Sequence, residues 1–166
     1  MKKLSLLVLA LLLFFNCKES EQITMQTTNE FAIVIHGGAG NQTRKSISKE
    51  TDSLIRAKLS EAIKVGHSIL KNGGSSLDAV EKTINVLEDS PLFNAGKGAV
   101  FTNEETNELD ASIMDGKTLN AGASAGTRTV KNPIDLARAV MENSPHVLLS
   151  GRGAEQFAKE QGLGDC

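Results

Sequence analysis

Two neighbouring stretches, Leu109-Asp-Ala-Ser-Ile-Met-Asp-Gly116 and Ala121-Gly-Ala-Ser-Ala-Gly-Thr127, decide how this chain folds. Leu109 to Met114 reads as a strand, and alternation along it puts Asp110 on the face opposite Ala111, which allows that carboxylate to be buried. Asp115-Gly116 is a strong signal for a two-residue hairpin turn. The return strand, Ala121 to Val130, opens on six small residues, which let another layer or a ligand approach the backbone closely. Asn132-Pro133 then starts a helix with proline in its first turn, running to about Asn143, and Gly153 to Gln161 reads as a further helix. Towards the N-terminus, Leu54 to Leu70 is helical by period: Leu54, Ile55, Leu59, Ala62, Ile63, Ile69 and Leu70 form one broad apolar stripe. Asn72-Gly73-Gly74 ends that helix, and Ser75-x-x-Asp78 opens a second, with Leu77, Val80, Ile84 and Leu87 inward and Pro91 closing the segment. The pair makes an antiparallel helical hairpin. Phe31 to Ile35, apolar and rich in β-branched residues, reads as a buried strand. The order of strand, helix pair, strand hairpin and helices indicates an α/β class of the layered α+β kind, not a strict βαβ alternation.

The chain has 166 residues, enough for one domain but not comfortably for two. Its net charge of -2 gives no electrostatic case for nucleic acid, and with neither Trp nor Tyr there is no base-stacking platform. Lys2 and Lys3 precede a mostly apolar run, Leu4 to Phe15, too short to span a bilayer, and Cys17 follows it. Residues 1–17 resemble a signal peptide with a bacterial lipobox, although Phe14-Phe15-Asn16 is bulkier than the usual residues before the cysteine. Residues 18–30 read as a polar tether and residues 31–166 as the folded part. The expected localisation is export, as a periplasmic or outer-membrane lipoprotein anchored through Cys17; a plain secretory signal is the alternative. The other cysteine is Cys166, so the count excludes a disulfide framework or a zinc site.

His36-Gly-Gly-Ala-Gly40 follows the first apolar run. Its bare N–H groups suit an anion or oxyanion cradle, and a tight structural turn reads equally well. It is neither a P-loop, lacking the Lys-Ser/Thr pair, nor a dinucleotide fingerprint, whose glycine spacing fails. Asn94, among apolar residues and glycines in Pro91 to Gly98, has an amide able to orient a nucleophile or a substrate carbonyl; an asparagine in a left-handed turn is the plainer reading. Asp110 and Asp115 are a poor pair for carboxylate catalysis, because the turn already explains Asp115. Ser144-Pro-His146 is better read as a helix end than as a Ser/His pair.

Ile35 to Gly40, Ser90 to Phe101, Glu108 to Gly116 and Asn143 to Val147 resemble, in order and spacing, the plant-type L-asparaginases. These are also called isoaspartyl peptidases and belong to the N-terminal nucleophile hydrolases. The resemblance runs from about Phe31 to Leu163. It implies an αββα sandwich, a proenzyme that cleaves itself into α- and β-subunits, and an (αβ)2 assembly. It implies a threonine nucleophile at the start of β whose own amine serves as base. The implied substrates are L-asparagine and β-aspartyl dipeptides, with no organic cofactor. A structural sodium ion is implied on the main-chain carbonyls of Leu87, Glu88, Ser90, Phe93, Ala95 and Lys97. Asn94 matches the asparagine near the nucleophile, and the loop of His36, Gly37 and Gly38 matches one close to the active centre.

The family pattern continues beyond Gly162-Leu163 into a linker and the Gly-Thr-Val/Ile-Gly that starts β. Residues 31–166 are therefore expected to be a truncated α-subunit portion, an incomplete sandwich without its nucleophile and inactive alone. Gly126-Thr127, the one Gly-Thr pair, is followed by Arg128 and lies in the small-residue strand, so it does not match the nucleophile. Two other readings stay open: a non-catalytic lipid-anchored binding protein using the glycine loop, and a glycosylasparaginase-like relative. For the membrane anchor the expectation is direct. A clickable palmitate analogue should label the exported protein and should fail to label Cys17→Ala; label that persists in the variant sinks the lipoprotein reading.

Overall fold

The structure, a computed structural model, describes residues 31–38 and 46–163. The signal, the tether and Cys17 lie outside these residues, as do Ala39, Gly40 and Cys166. Helix α1 spans Lys49–Lys71, longer at its start than its apolar stripe suggests. Ser48 caps it by accepting the Thr51 N–H at 3.0 Å, and Glu50 and Asp52 complement the helix dipole in the first turn. At the other end the Gly73 N–H reaches the Leu70 carbonyl at 3.0 Å and the Gly74 N–H the Ile69 carbonyl at 2.9 Å, a Schellman closure made possible by Gly73 at φ +81°. Helix α2, Ser76–Glu88, starts on Ser75, whose hydroxyl accepts the Asp78 N–H at 3.0 Å. The two helices lie close at Gly66, where a Cβ would fall 2.3 Å from Thr83 Oγ1.

Strands β1, Leu109–Met114, and β2, Ala121–Thr127, are antiparallel, with Met114 opposite Ala121. Helix α3 follows at Pro133–Asn143, then a short strand β3, Leu148–Ser150, parallel to β2, then helix α4, Gly151–Glu160. The result is a small mixed sheet in the order β1-β2-β3. α3 rests on one face of it. Gly122 makes that contact possible: a Cβ there would lie 2.2 Å from the Ala137 carbonyl oxygen. Ile113, Ile134 and Ala137 form the core at this contact, and Leu136, Val140, Val130, Ala154 and Ala158 form a second core under α4. The opposite face presents Ser112, Met114 and Leu148, all exposed. Arg138 of α3 binds Asp78 at 2.7 Å and also Glu81, tying α2 to the sheet layer.

Several sequence expectations are corrected. Phe31 to Ile35 is not a buried strand: it pairs with no strand among the described residues, and Val34 is 90% exposed. Its odd-numbered residues nevertheless pack against the helical hairpin. Ile35 packs into the cluster of Ala62, Leu87 and Phe93, Ile33 meets Gly66, and the Phe31 ring makes an edge contact with His67. The Asp115-Gly116 signal does not produce a two-residue turn. Residues 115–120 form a wider loop, in which the Asp115 carboxylate accepts the Lys117 and Thr118 N–H groups and the Thr118 hydroxyl. The left-handed residue is Leu119, at φ +64°, and not Gly116. Asp110 is exposed, its carboxylate accepting the Gly126 N–H at 2.8 Å. β2 stops at Thr127, and Val130, a single bridge residue beyond it, packs in the α3–α4 core.

The two glycines should therefore behave differently. Gly122→Ala forces a methyl against backbone and should cost about 1–3 kcal/mol in urea unfolding. Gly116→Ala, with nothing within 4 Å of a Cβ, should stay within about 0.5 kcal/mol of the parent. Equal costs would contradict the close approach of α3.

Candidate functional site

The loop after α2 is built around missing side chains. Gly96, at φ +49°, lies so close to the end of α2 that a Cβ would fall 2.5 Å from the Glu88 carbonyl oxygen. At Gly98 a Cβ would fall 2.1 Å from the Phe93 carbonyl oxygen. Only a chain bare at both positions can fold back this tightly. Phe93, buried, anchors the loop among Ala62 and Leu87 with Leu59 packed alongside. The same Phe93 brings the two candidate loops together: a Cβ on Gly37 would lie 3.2 Å from Leu59 and 3.7 Å from the Phe93 ring. His36, Gly37 and Gly38 thus sit beside the segment carrying Asn94.

Asn94 is exposed, and its amide is oriented. The Val100 N–H donates to Asn94 Oδ1 at 3.0 Å, so the oxygen faces the loop and the NH2 group is left to donate outwards. Asn107 Nδ2 holds the same segment from the far side, donating to the carbonyls of Ala99 at 2.8 Å and Val100 at 3.1 Å. In the glycine loop, Gly38 takes φ +113° and its N–H donates to His36 Nδ1 at 3.3 Å. One N–H of the expected cradle is therefore turned onto the histidine.

The loop's carbonyls suit a hard cation. Those of Phe93 and Ala95 each accept one backbone N–H, from Ala95 and Gly98 at 2.8 and 3.1 Å, which leaves each a second lone pair; that of Leu87 takes the N–H groups of Ser90, at 3.1 Å, and of Asp89. Oxygen donors of this kind favour hard ions, and the cradle at Gly96 and Gly98 brings the carbonyls of Glu88 and Phe93 to its wall. Among the described residues no group of three His, Cys, Asp or Glu side chains could hold a metal ion, so a cation here would be held by main chain.

The other sequence candidates are separated. Ser144 Oγ donates to the Val140 carbonyl at 2.8 Å and accepts the backbone N–H of His146, not its ring, so it ends α3 and forms no dyad. Thr127 is 0% exposed with Oγ1 donating to the Leu109 carbonyl at 3.1 Å, a structural hydroxyl. Asp115 is held below the usual carboxylate range first by the Thr118 hydroxyl, as a turn residue. One group had no signal in the sequence reading: the Glu88 side chain. It is 2% exposed, and burial pushes its carboxyl up to about 7 against the hydrogen bonds it receives from Asn132 and Ile134. Those partners lie 44 and 46 residues away, beyond any local spacing rule.

Comparison with known proteins gives the family. The asparaginase family model matches residues 29–166. The chain is 50% identical over 135 residues to an isoaspartyl peptidase of Salmonella typhimurium, covering 81% of this chain and 43% of that protein. It is 50% identical to the isoaspartyl peptidase of Escherichia coli over 79% of this chain and 41% of that one. It is 52% identical to a plant-type L-asparaginase of Pyrococcus furiosus over 80% of this chain and 42% of that one. The chain spans about two fifths of the length of the curated relatives it matches.

The Asn94 clasp has a measurable signature. Asn94→Ala removes the acceptor and should speed exchange of the Val100 amide proton about fivefold, the equivalent of ~1 kcal/mol for one hydrogen bond. Asn94→Asp keeps an oxygen there and should leave the exchange rate near the parent's. Unchanged exchange in Asn94→Ala would show that the oxygen does not face Val100.

Proposed function

This chain belongs to the asparaginase family, and we propose that it supplies the α-subunit portion of an isoaspartyl peptidase/L-asparaginase. The observation that carries the reading is the meeting of the glycine loop with the Asn94 loop over Phe93. In the proposed reaction a threonine hydroxyl, its proton taken by the threonine's own amine, attacks the side-chain carbonyl of L-asparagine or the isopeptide carbonyl of a β-aspartyl dipeptide. The C–N bond breaks, ammonia or the amine of the second residue leaves with a proton, and water hydrolyses the resulting ester. No residue of these 166 matches that threonine. Asn94 would donate its outward NH2 to an oxygen of the reacting partners, an electrostatic and positioning role. The three-stranded sheet, with α3 on one face and Ser112, Met114 and Leu148 exposed on the other, would be one layer of an αββα sandwich in an (αβ)2 assembly. Cys17 would carry the lipid that holds the exported protein at a membrane.

Sodium would be held by the carbonyls of Leu87, Glu88, Ser90, Phe93, Ala95 and Lys97. It would be a structural ion whose contribution is to order the loop. The Gly96 and Gly98 cradle and the spare lone pairs of Phe93 and Ala95 support that donor set.

Ammonia release tests the reading. The 166-residue chain by itself should release none from L-asparagine or β-aspartyl dipeptides, because positioning groups do not replace a missing nucleophile. Turnover should appear on mixing with a separately expressed family β-subunit, and should fall about 10²-fold or more with Asn94→Ala in the mixture. Turnover by the chain alone, or mixing that gives activity indifferent to Asn94, would overturn the assignment.

A further inference from the structure

Glu88 ends α2, with its backbone covered by Gly96 and its side chain turned towards α3. Oε1 accepts the Ile134 N–H at 3.1 Å and Oε2 accepts Asn132 Nδ2 at 3.1 Å. Ile134 lies in the first turn of α3, where N–H groups have no acceptor within the helix. The local N-cap, Asn132, does not supply one: its side chain makes no cap bond and donates instead to Glu88 and, at 3.3 Å, to Asp89. Glu88 thus provides across the fold the cap that α3 lacks in sequence. The Lys131–Asp89 pair at 2.9 Å borders this junction but is exposed and adds little. One residue is therefore gripped by α2, by the Gly96 turn and by the start of α3.

We propose that the Glu88 side chain is a positioning residue that fastens the loop of residues 89–98 to the start of α3, and so sets both its carbonyl cation site and the placement of Asn94. The inference rests on the sodium reading above for its readout. The loop has one deeply buried apolar anchor of its own, Phe93, and two glycines at its turns. The carbonyls of Leu87 and Glu88 follow the end of α2, and the Glu88 carboxylate fixes that end. An amide in its place turns an NH2 donor towards one of two donors, so Glu88→Gln disturbs the clamp without emptying the space.

The test melts the chain at a pH well above 7, where the Glu88 carboxyl is ionised, over a sodium chloride series with tetramethylammonium chloride holding ionic strength constant. The parent should show a saturable, sodium-specific rise in midpoint. Glu88→Gln should raise the half-saturating sodium concentration about tenfold, as loss of a hydrogen bond to a charged group does. Asn132→Ala should raise it about threefold, keeping the Ile134 bond. Val140→Ala, in the α3–α4 core away from the loop, should lower the midpoint in both salts with half-saturation unchanged, which separates positioning from general stability. A sodium-specific rise in the parent with the same half-saturation in a cooperatively melting Glu88→Gln overturns the inference. If that variant does not melt cooperatively, Asn132→Ala decides by the same criterion. No sodium-specific rise in the parent overturns the sodium reading itself, and the inference with it.

Discussion

α3 can lie on the sheet because residue 122 has no side chain. The Ala137 carbonyl occupies the space a Cβ would need, at 2.2 Å, and the Met141 backbone is nearly as close. That approach sets the height of the helix. It brings Ile134 and Ala137 down onto Ile113, and turns Leu136 and Val140 into the core shared with Ala154 and Ala158. It also delivers Arg138 to Asp78 and Glu81, and the first turn of α3 to Glu88. A helix raised by one methyl would shift all of these contacts together, because packed interiors transmit displacement and do not absorb it.

The candidate site inherits its position from that chain of contacts. The sheet places α3, α3 receives Glu88, Glu88 holds the end of α2, and the loop from α2 carries Asn94. The glycine loop joins from the other side through Leu59 and Phe93. Nearly all of this positioning is done by backbone and by bare glycine, with a single large ring as the anchor. Chemistry that depends on directed amides and carbonyls is served by such an arrangement, since main-chain groups held by tight turns have little freedom to reorganise.

Helices, strands and the family were legible in the sequence for physical reasons. Apolar stripes, the Ser75 cap and the small run at Ala121 to Gly126 act through neighbours a few residues away. Four spaced segments pointed to the asparaginase family, and the family match agrees. What was missed depended on distant partners or on competition between local signals. Phe31 to Ile35 has strand composition, but composition does not supply a neighbouring strand. Asp115-Gly116 has the hairpin signal, but the Asp115 carboxylate gathers two N–H groups and a hydroxyl and widens the turn. β3 is three residues long, too short for periodicity to announce. The Glu88 cap joins groups 46 residues apart, and nothing in its surroundings marks it.

The joints between the helical hairpin and the sheet layer have a consequence for the order of folding. Glu88–Ile134, Asn85–Asp135, Glu81–Arg138 and Asp78–Arg138 link residues 46, 50, 57 and 60 positions apart. Each half is knit by local contacts and can nucleate early, while the joints wait for the entropy of a long closure to be overcome. During synthesis the Asn94 loop leaves the ribosome some 40 residues before its clamp at Ile134 exists. The clamp therefore closes last, as the two halves dock, and the same event that completes the fold caps the first turn of α3.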